Sequence, residues 1–315
     1  MSLNSSINNT HPSANDSRPD LSQFTIPITI CLLTVLICLV GLIGNVIIIY
    51  LFCFRIKLNQ STVYILNLAV ADFIFVFGCC MVTLFFLCLY NGVHTSPRQD
   101  AVFSVFGDFL NSFGFNSSLL FLAALSIERS LSVCFPMWYK CRRPEHLSAI
   151  LTVIIWIASF LISILERFLI PQYRSTVYIV ISILFLIVTL AMIGASAVLL
   201  IEIRKTSIPY RPIKLYIVVV AAVTTFLISL VPATIVRLLF FFAFIPTGMT
   251  KILSYMAFSL CSAVNSTVNP YIYIIVGRWK KSLPTTQALE SVFKDDRKTS
   301  EGSDQVETQH TDIEH

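Results

Sequence analysis

The chain is 315 residues long, 56% hydrophobic and only 12% charged, with a formal net charge of +5. Soluble globular domains carry roughly 25% charged residues, so this balance, with a mean hydropathy of +0.80, excludes them and indicates a polytopic helical membrane protein. A membrane β-barrel is excluded too, because short alternating segments are absent, and no nucleic-acid partner is expected.

Residues 1–23 are rich in Asn, Ser, Pro and Asp and too polar to bury a core. They are expected to form an extracellular tail, glycosylated at the sequons of Asn4, Asn8 and Asn15. The same tripeptide at Asn116 and Asn265 falls inside spans, and at Asn59 on the cytoplasmic side, so those should stay bare. Residues 24–276 are expected to be one transmembrane domain, because apolar stretches of about 20 residues recur along them. The first, 25–52, holds Gly41, Gly44 and Asn45, and is long enough to remain as a span rather than be cleaved as a signal peptide. The second, 60–89, carries Asp72, an ionisable group at mid-membrane depth. Such a residue costs roughly 2.5–3.5 kcal/mol unless it faces a polar interior.

The third span, 100–133, ends in Glu128-Arg129, followed by Pro136-Met137-Trp138-Tyr139 and the basic residues Lys140, Arg142 and Arg143. That order describes a helix leaving the bilayer on its cytoplasmic side. The basic residues suit an ordinary stop-transfer flank; Glu128 does not, because a carboxylate gains nothing there. The fourth span, 147–169, carries Trp156 and ends in Glu166-Arg167. The fifth, 176–203, holds Gly194-Ala195-Ser196-Ala197, small residues that permit close helix approach. Pro232 should kink the sixth, 213–243, by removing a backbone hydrogen bond. The seventh, 249–276, contains Asn265, Ser266 and Asn269-Pro270-Tyr271-Ile272-Tyr273. Residues 277–290 open with Gly277-Arg278-Trp279-Lys280-Lys281 and should lie as an amphipathic helix against inner-leaflet lipid. Residues 291–315 are acidic and polar, a disordered cytoplasmic tail whose Ser291, Thr299, Ser300, Ser303 and Thr308 could serve a receptor kinase and then arrestin.

Charge sets the orientation. Arg55, Lys57, Arg142, Arg143, Arg204, Lys205, Arg278 and Lys280 fall in one set of alternate loops, while the opposite loops hold few cations. The positive-inside rule then puts the N-terminus outside and the C-terminus inside, which requires an odd number of spans. Seven fits. The nine cysteines lie mostly within spans or on the cytoplasmic side, without metal-ligand spacing or an extracellular disulfide pattern.

Glu-Arg-Ser-Leu-Ser-Val at 128–133 and Pro-Met-Trp-Tyr-Lys-Cys-Arg-Arg-Pro at 136–144 resemble the third-helix end and second cytoplasmic loop of Mas-related receptors, of the rhodopsin-like (class A) G-protein-coupled receptors. The resemblance implies a seven-helix bundle at the plasma membrane that binds an extracellular ligand, activates a heterotrimeric G protein and catalyses no covalent chemistry. It implies a switch in which Arg129 is held by Glu128 at rest and released when the sixth helix swings outward, with Tyr273 in the moving seventh helix and hinges at Pro232 and Pro270. On chemistry alone, Asp72, Ser118, Asn265, Ser266 and Asn269 suit either a small hard cation, a proton or a hydrated structural network. The resemblance favours an allosteric sodium ion; no other cofactor is expected.

On the ligand side Glu166 resembles an acid by which some Mas-related receptors hold cationic ligands, although a salt bridge to Arg167, Arg174 or Arg237 would neutralise it. Tyr178 stands where a second acid often occurs, and Asn111, where amine receptors have aspartate, argues against a monoamine. A peptide or small cationic ligand is favoured; Arg237 would suit an anionic or lipid-like one instead. There are departures from the class. Leu230 replaces a tryptophan before Pro232 although Phe226 is kept, Ser104 replaces a disulfide cysteine, the fifth span lacks a proline, and no cysteine pair joins the fourth and fifth. An intramembrane protease would need a base for Ser196, and no histidine lies in any span. A transporter would predict internal repeats, and none is evident.

Overall fold

The computed structural model describes residues 21–56, 62–92, 96–144, 146–168, 174–205, 213–241 and 249–278, together with positions 284, 285, 287, 289 and 292. The sequons at Asn4, Asn8 and Asn15 and the acidic tail lie outside these residues. The helices are α1 (Leu21–Phe54), α2 (Thr62–Tyr90), α3 (Pro97–Cys134), α4 (Pro136–Cys141), α5 (Leu147–Phe168), α6 (Arg174–Lys205), α7 (Ile213–Phe241) and α8 (Met249–Arg278). Seven are long; α4 is a short turn of helix on the loop after α3. Five of the long ones, α1, α2, α3, α5 and α6, are apolar and long enough to cross a bilayer on their described residues alone. With α7 and α8 they make the seven-helix bundle.

Local chemistry explains where the ends differ from expectation. α3 begins three residues before the anticipated 100 because Ser96 caps it: the Ser96 side chain accepts from the Gln99 backbone, and the Gln99 side chain accepts in return from the Ser96 backbone. Pro97 follows in the first helical position, where its missing N–H costs nothing. Pro136 likewise opens α4, so the Pro-Met-Trp-Tyr stretch is helical, which the sequence reading did not anticipate. α8 runs through Pro270 as far as Arg278. α7 is continuous across position 232, and the side chain of the expected Pro232 hinge lies outside the described residues.

α3 is the axis of the bundle, packed against α2, α5, α6 and α7, while α1 lies against α2 and α8. The α2–α3 crossing is backbone-close. A Cβ at Gly78 would lie 2.6 Å from the Asn111 nitrogen, and one at Gly114 would collide with the Phe75 backbone. Lipid supplies no hydrophobic drive for helix association, so this close approach is how two such helices gain contact. Toward the Glu128–Arg129 end a large core gathers Phe52, Tyr64, Leu68, Leu122, Val219 and Tyr273. Leu289 and Val292, beyond α8, are buried in this core, whereas the sequence reading laid 277–290 against lipid and counted position 292 in a disordered tail. A smaller core of Cys38, Phe75, Val76, Cys79, Cys80 and Ala263 lies beside it.

Candidate functional site

The polar residues that carry the candidate chemistry gather in three places, two of them buried and the third, around Glu166, exposed. In the first, Asp72 on α2 is fully buried; Ser118 of α3 donates to it over 2.6 Å and Asn269 Nδ2 of α8 over 2.8 Å. Ser266 of α8, also buried, belongs to the same cluster. Asn45 Nδ2 donates to the Gly41 and Ser266 carbonyls at 3.0 and 3.2 Å, binding α1 to α8 beside this cluster. Buried Asn265 is not brought into hydrogen bond with Asp72 among the described contacts. Its Oδ1 and that of Asn269 have no partner there. The Asp72 carboxylate, the Ser118 hydroxyl and the unpartnered Oδ1 of Asn269 offer oxygen only, the chemistry of a hard ion rather than a soft one.

The second assembly lies ten residues beyond Ser118, toward the C-terminal end of α3. Arg129 and Glu128 are both buried, with Arg129 Nη2 3.7 Å from Glu128 Oε1. That is a long pair, and Glu128 has closer partners. Arg143 reaches its Oε2 at 3.2 Å, and Tyr139 of α4 donates to Oε1 over 2.8 Å. Arg143 also donates to Ser148 at 2.6 Å, and its guanidinium lies 4.9 Å from the Tyr139 ring centre. Burial pushes the Tyr139 hydroxyl above its ordinary range, so it remains a protonated donor at neutral pH. The loop helix is thereby latched onto the acid of the Glu-Arg pair. Tyr273 is fully buried on α8, within electrostatic reach of Asp72.

The third assembly is at the far end, between α3 and α5. Glu166 accepts from Ser112 and, at 3.3 Å, from Asn116 Nδ2, which also donates to Ser163 at 3.2 Å. The sequence left open a salt bridge from Arg167 to Glu166. Arg167 instead pairs with Asp108 of α3 at 2.8 Å. No cation among the described residues pairs with Glu166. Asn111 is not part of this group; it lines a separate cavity of about 20 Å³ between α1, α2, α3 and α8, with Thr34, Thr83 and Tyr255. The side chains of Tyr178 and Arg237 lie outside the described residues.

Comparison with known proteins decides what kind of bundle this is. The profile of the 7 transmembrane receptor (rhodopsin family) matches residues 44–176. The chain is 31% identical over 271 residues to the Proto-oncogene Mas of Mus musculus, covering 81% of each. It is 32% identical over 293 residues to human Mas-related G-protein coupled receptor member X1, with 89% of this chain and 87% of that one covered. With rat Mas-related member A the identity is 33% over 288 residues, covering 86% and 91%. The chain belongs to the Mas-related G-protein-coupled receptors. This receptor is therefore a multi-pass membrane signalling protein with a ligand and a G protein as partners, and not an enzyme.

Several contacts of the receptor were not expected from sequence. Phe115 of α3 stacks on Phe185 of α6 with centroids 6.1 Å apart and meets Phe258 of α8 at 5.6 Å. Phe185 continues to Phe226 of α7 at 6.0 Å. This aromatic chain joins four helices one turn from Leu230, where the class usually has tryptophan. Trp156 Nε1 donates to Asn67 Oδ1 at 2.9 Å, fixing α5 to α2. Helical phase could have flagged Phe115 and Phe185 only if the facing of the two helices had been known.

Proposed function

We propose that the receptor binds an extracellular cationic ligand, a basic peptide or small amine-bearing molecule other than a simple monoamine, with Glu166 as its counter-charge. The N-terminus faces outside in this reading, and the response passes through Asp72 and Arg129 to a heterotrimeric G protein. The observation that carries it is the sorting of charges at the far end: Arg167 is committed to Asp108, while Glu166 is held by neutral donors. A carboxylate on hydroxyl and amide dipoles keeps its net charge and draws cations into an apolar mouth. The Asp72 cluster fits a sodium ion that stabilises the resting state, with Asp72 and Ser118 as its first holders and the Asn265 and Asn269 oxygens beside them.

The test is G-protein dissociation in cells expressing the receptor, challenged with basic peptides, amines and small anionic metabolites, with Glu166→Gln in parallel. Activation by cations that falls at least tenfold in Glu166→Gln at equal surface expression supports the reading. A response confined to anions overturns it while leaving the family intact.

A further inference from the structure

The outer flank of the α3–α5 pair holds a cavity of about 620 Å³ that is separate from the polar assemblies. Its walls include Val102, Phe106 and Phe109 from α3 and Phe160 and Phe168 from α5, and Arg98 stands at its rim. Val102, Phe106, Phe160 and Phe168 are all exposed on the bundle surface. In a membrane they face hydrocarbon. From Arg98 to Phe109 the wall descends eleven residues of α3, about 16 Å at 1.5 Å per residue. Phe109 itself is nine residues, about 13 Å, outward of Ser118, the partner of mid-membrane Asp72. The crevice therefore lies toward the outer headgroup region, and its volume is that of a small-molecule site.

Its charge is one-sided. Among its lining residues only Arg98 is charged, and Arg98 makes no ion pair among the described residues; Asp108, next to the wall residue Phe109, is taken by Arg167. We propose that this crevice is a binding site for a single-chain lipid carboxylate of the free-fatty-acid type, its chain between the α3 and α5 phenylalanines and its headgroup on Arg98. The chain alone would gain little, since bilayer lipid is as apolar as the crevice. Selectivity comes from the headgroup: a planar guanidinium receives a carboxylate through two parallel hydrogen bonds. A single guanidinium at the rim suits a single carboxylate. The site is independent of Glu166 and of the proposed ligand reading.

The experiment uses the full-length receptor in nanodiscs of zwitterionic lipid, labelled with a diazirine analogue of a C16 fatty acid and mapped by peptide mass spectrometry. The expected result is labelling on α3 and α5 wall peptides that oleate competes away, and that oleyl alcohol, lacking the charge, competes at least tenfold less well. Arg98→Gln should weaken labelling about tenfold, and Val105→Trp, which fills the cleft, should abolish it with the Tm unchanged. Equal competition by oleyl alcohol, or labelling indifferent to both substitutions, would mean ordinary annular lipid and overturn the proposal. Stronger competition by phosphatidylserine than by oleate would assign the cleft to a phospholipid and overturn it equally.

Discussion

Replacing Arg143 with Gln should quiet the receptor. Glu128 divides its carboxylate between two cations: Arg143 at 3.2 Å on one oxygen and Arg129 at 3.7 Å on the other. Arg143 and Glu128 belong to a loop and a helix end that the loop helix α4 holds together, whereas Arg129 is, in the proposed switch, the group that leaves on activation. Arg143 is thus a competitor for the acid in the resting state. Without it, Glu128 is free to close on Arg129 from 3.7 Å to an ordinary charge-assisted distance of about 2.8 Å. With an effective dielectric of about 20, the attraction grows from about 4.5 to about 5.9 kcal/mol, a gain of about 1.4 kcal/mol. That is a tenfold shift toward rest. Basal G-protein dissociation per surface receptor, compared between wild type and Arg143→Gln, should fall about tenfold, and Glu128→Gln, which frees Arg129, should raise it. A rise in Arg143→Gln would refute the reasoning and make Arg143 part of the restraint on Arg129 rather than its rival.

Asp72→Asn keeps the shape of the Ser118 and Asn269 contacts but removes the charge, and should abolish any sodium dependence of basal signalling; an undiminished response to replacing sodium with a large organic cation would exclude the ion from this cluster. Lys214 on α7 donates to the Gly277 carbonyl near the end of α8 at 3.4 Å, a contact with a helix C-terminus of about 0.3–1 kcal/mol. Lys214→Ala should therefore raise basal signalling about two- to fivefold, and unchanged output would show that the contact persists in both states. Gly114→Ala drives a methyl into the Phe75 backbone and should cost about 1–3 kcal/mol, visible as a lower Tm, whereas Gly194→Ala, with open space around it, should leave the Tm in place.

Much of the bundle was legible because membrane spans announce themselves by length and apolarity, and because Asp72, Ser118 and Asn269 are too costly in hydrocarbon to be scattered. Their convergence on one carboxylate needs only equal depth on neighbouring helices, and depth can be counted from the span ends. Facing cannot. Glu166 and Arg167 are adjacent in sequence, yet on a helix neighbours point about 100° apart, so one turns to Ser112 and Asn116 while the other finds Asp108. Arg143 was read as a stop-transfer charge, which any basic residue after a span could be. Its place against Glu128 depends on α4 folding the chain back, and only tertiary packing specifies that. Asn265 was grouped with Asp72 by depth and by the resemblance, and no hydrogen bond joins the two among the described contacts.

All nine cysteines are free thiols, and Ser104 stands where the class places the cysteine that staples its third helix. The far ends of α3 and α5 are fastened instead by Asp108–Arg167 and the Glu166 hydrogen bonds. A fastening of that kind needs no oxidant to form. The receptor can therefore complete its outer face without a disulfide isomerase, keep it in reducing surroundings that would open the staple of other receptors, and trade it for ionic strength as a control: where they lose ligand binding to a thiol reductant, this one should loosen with salt.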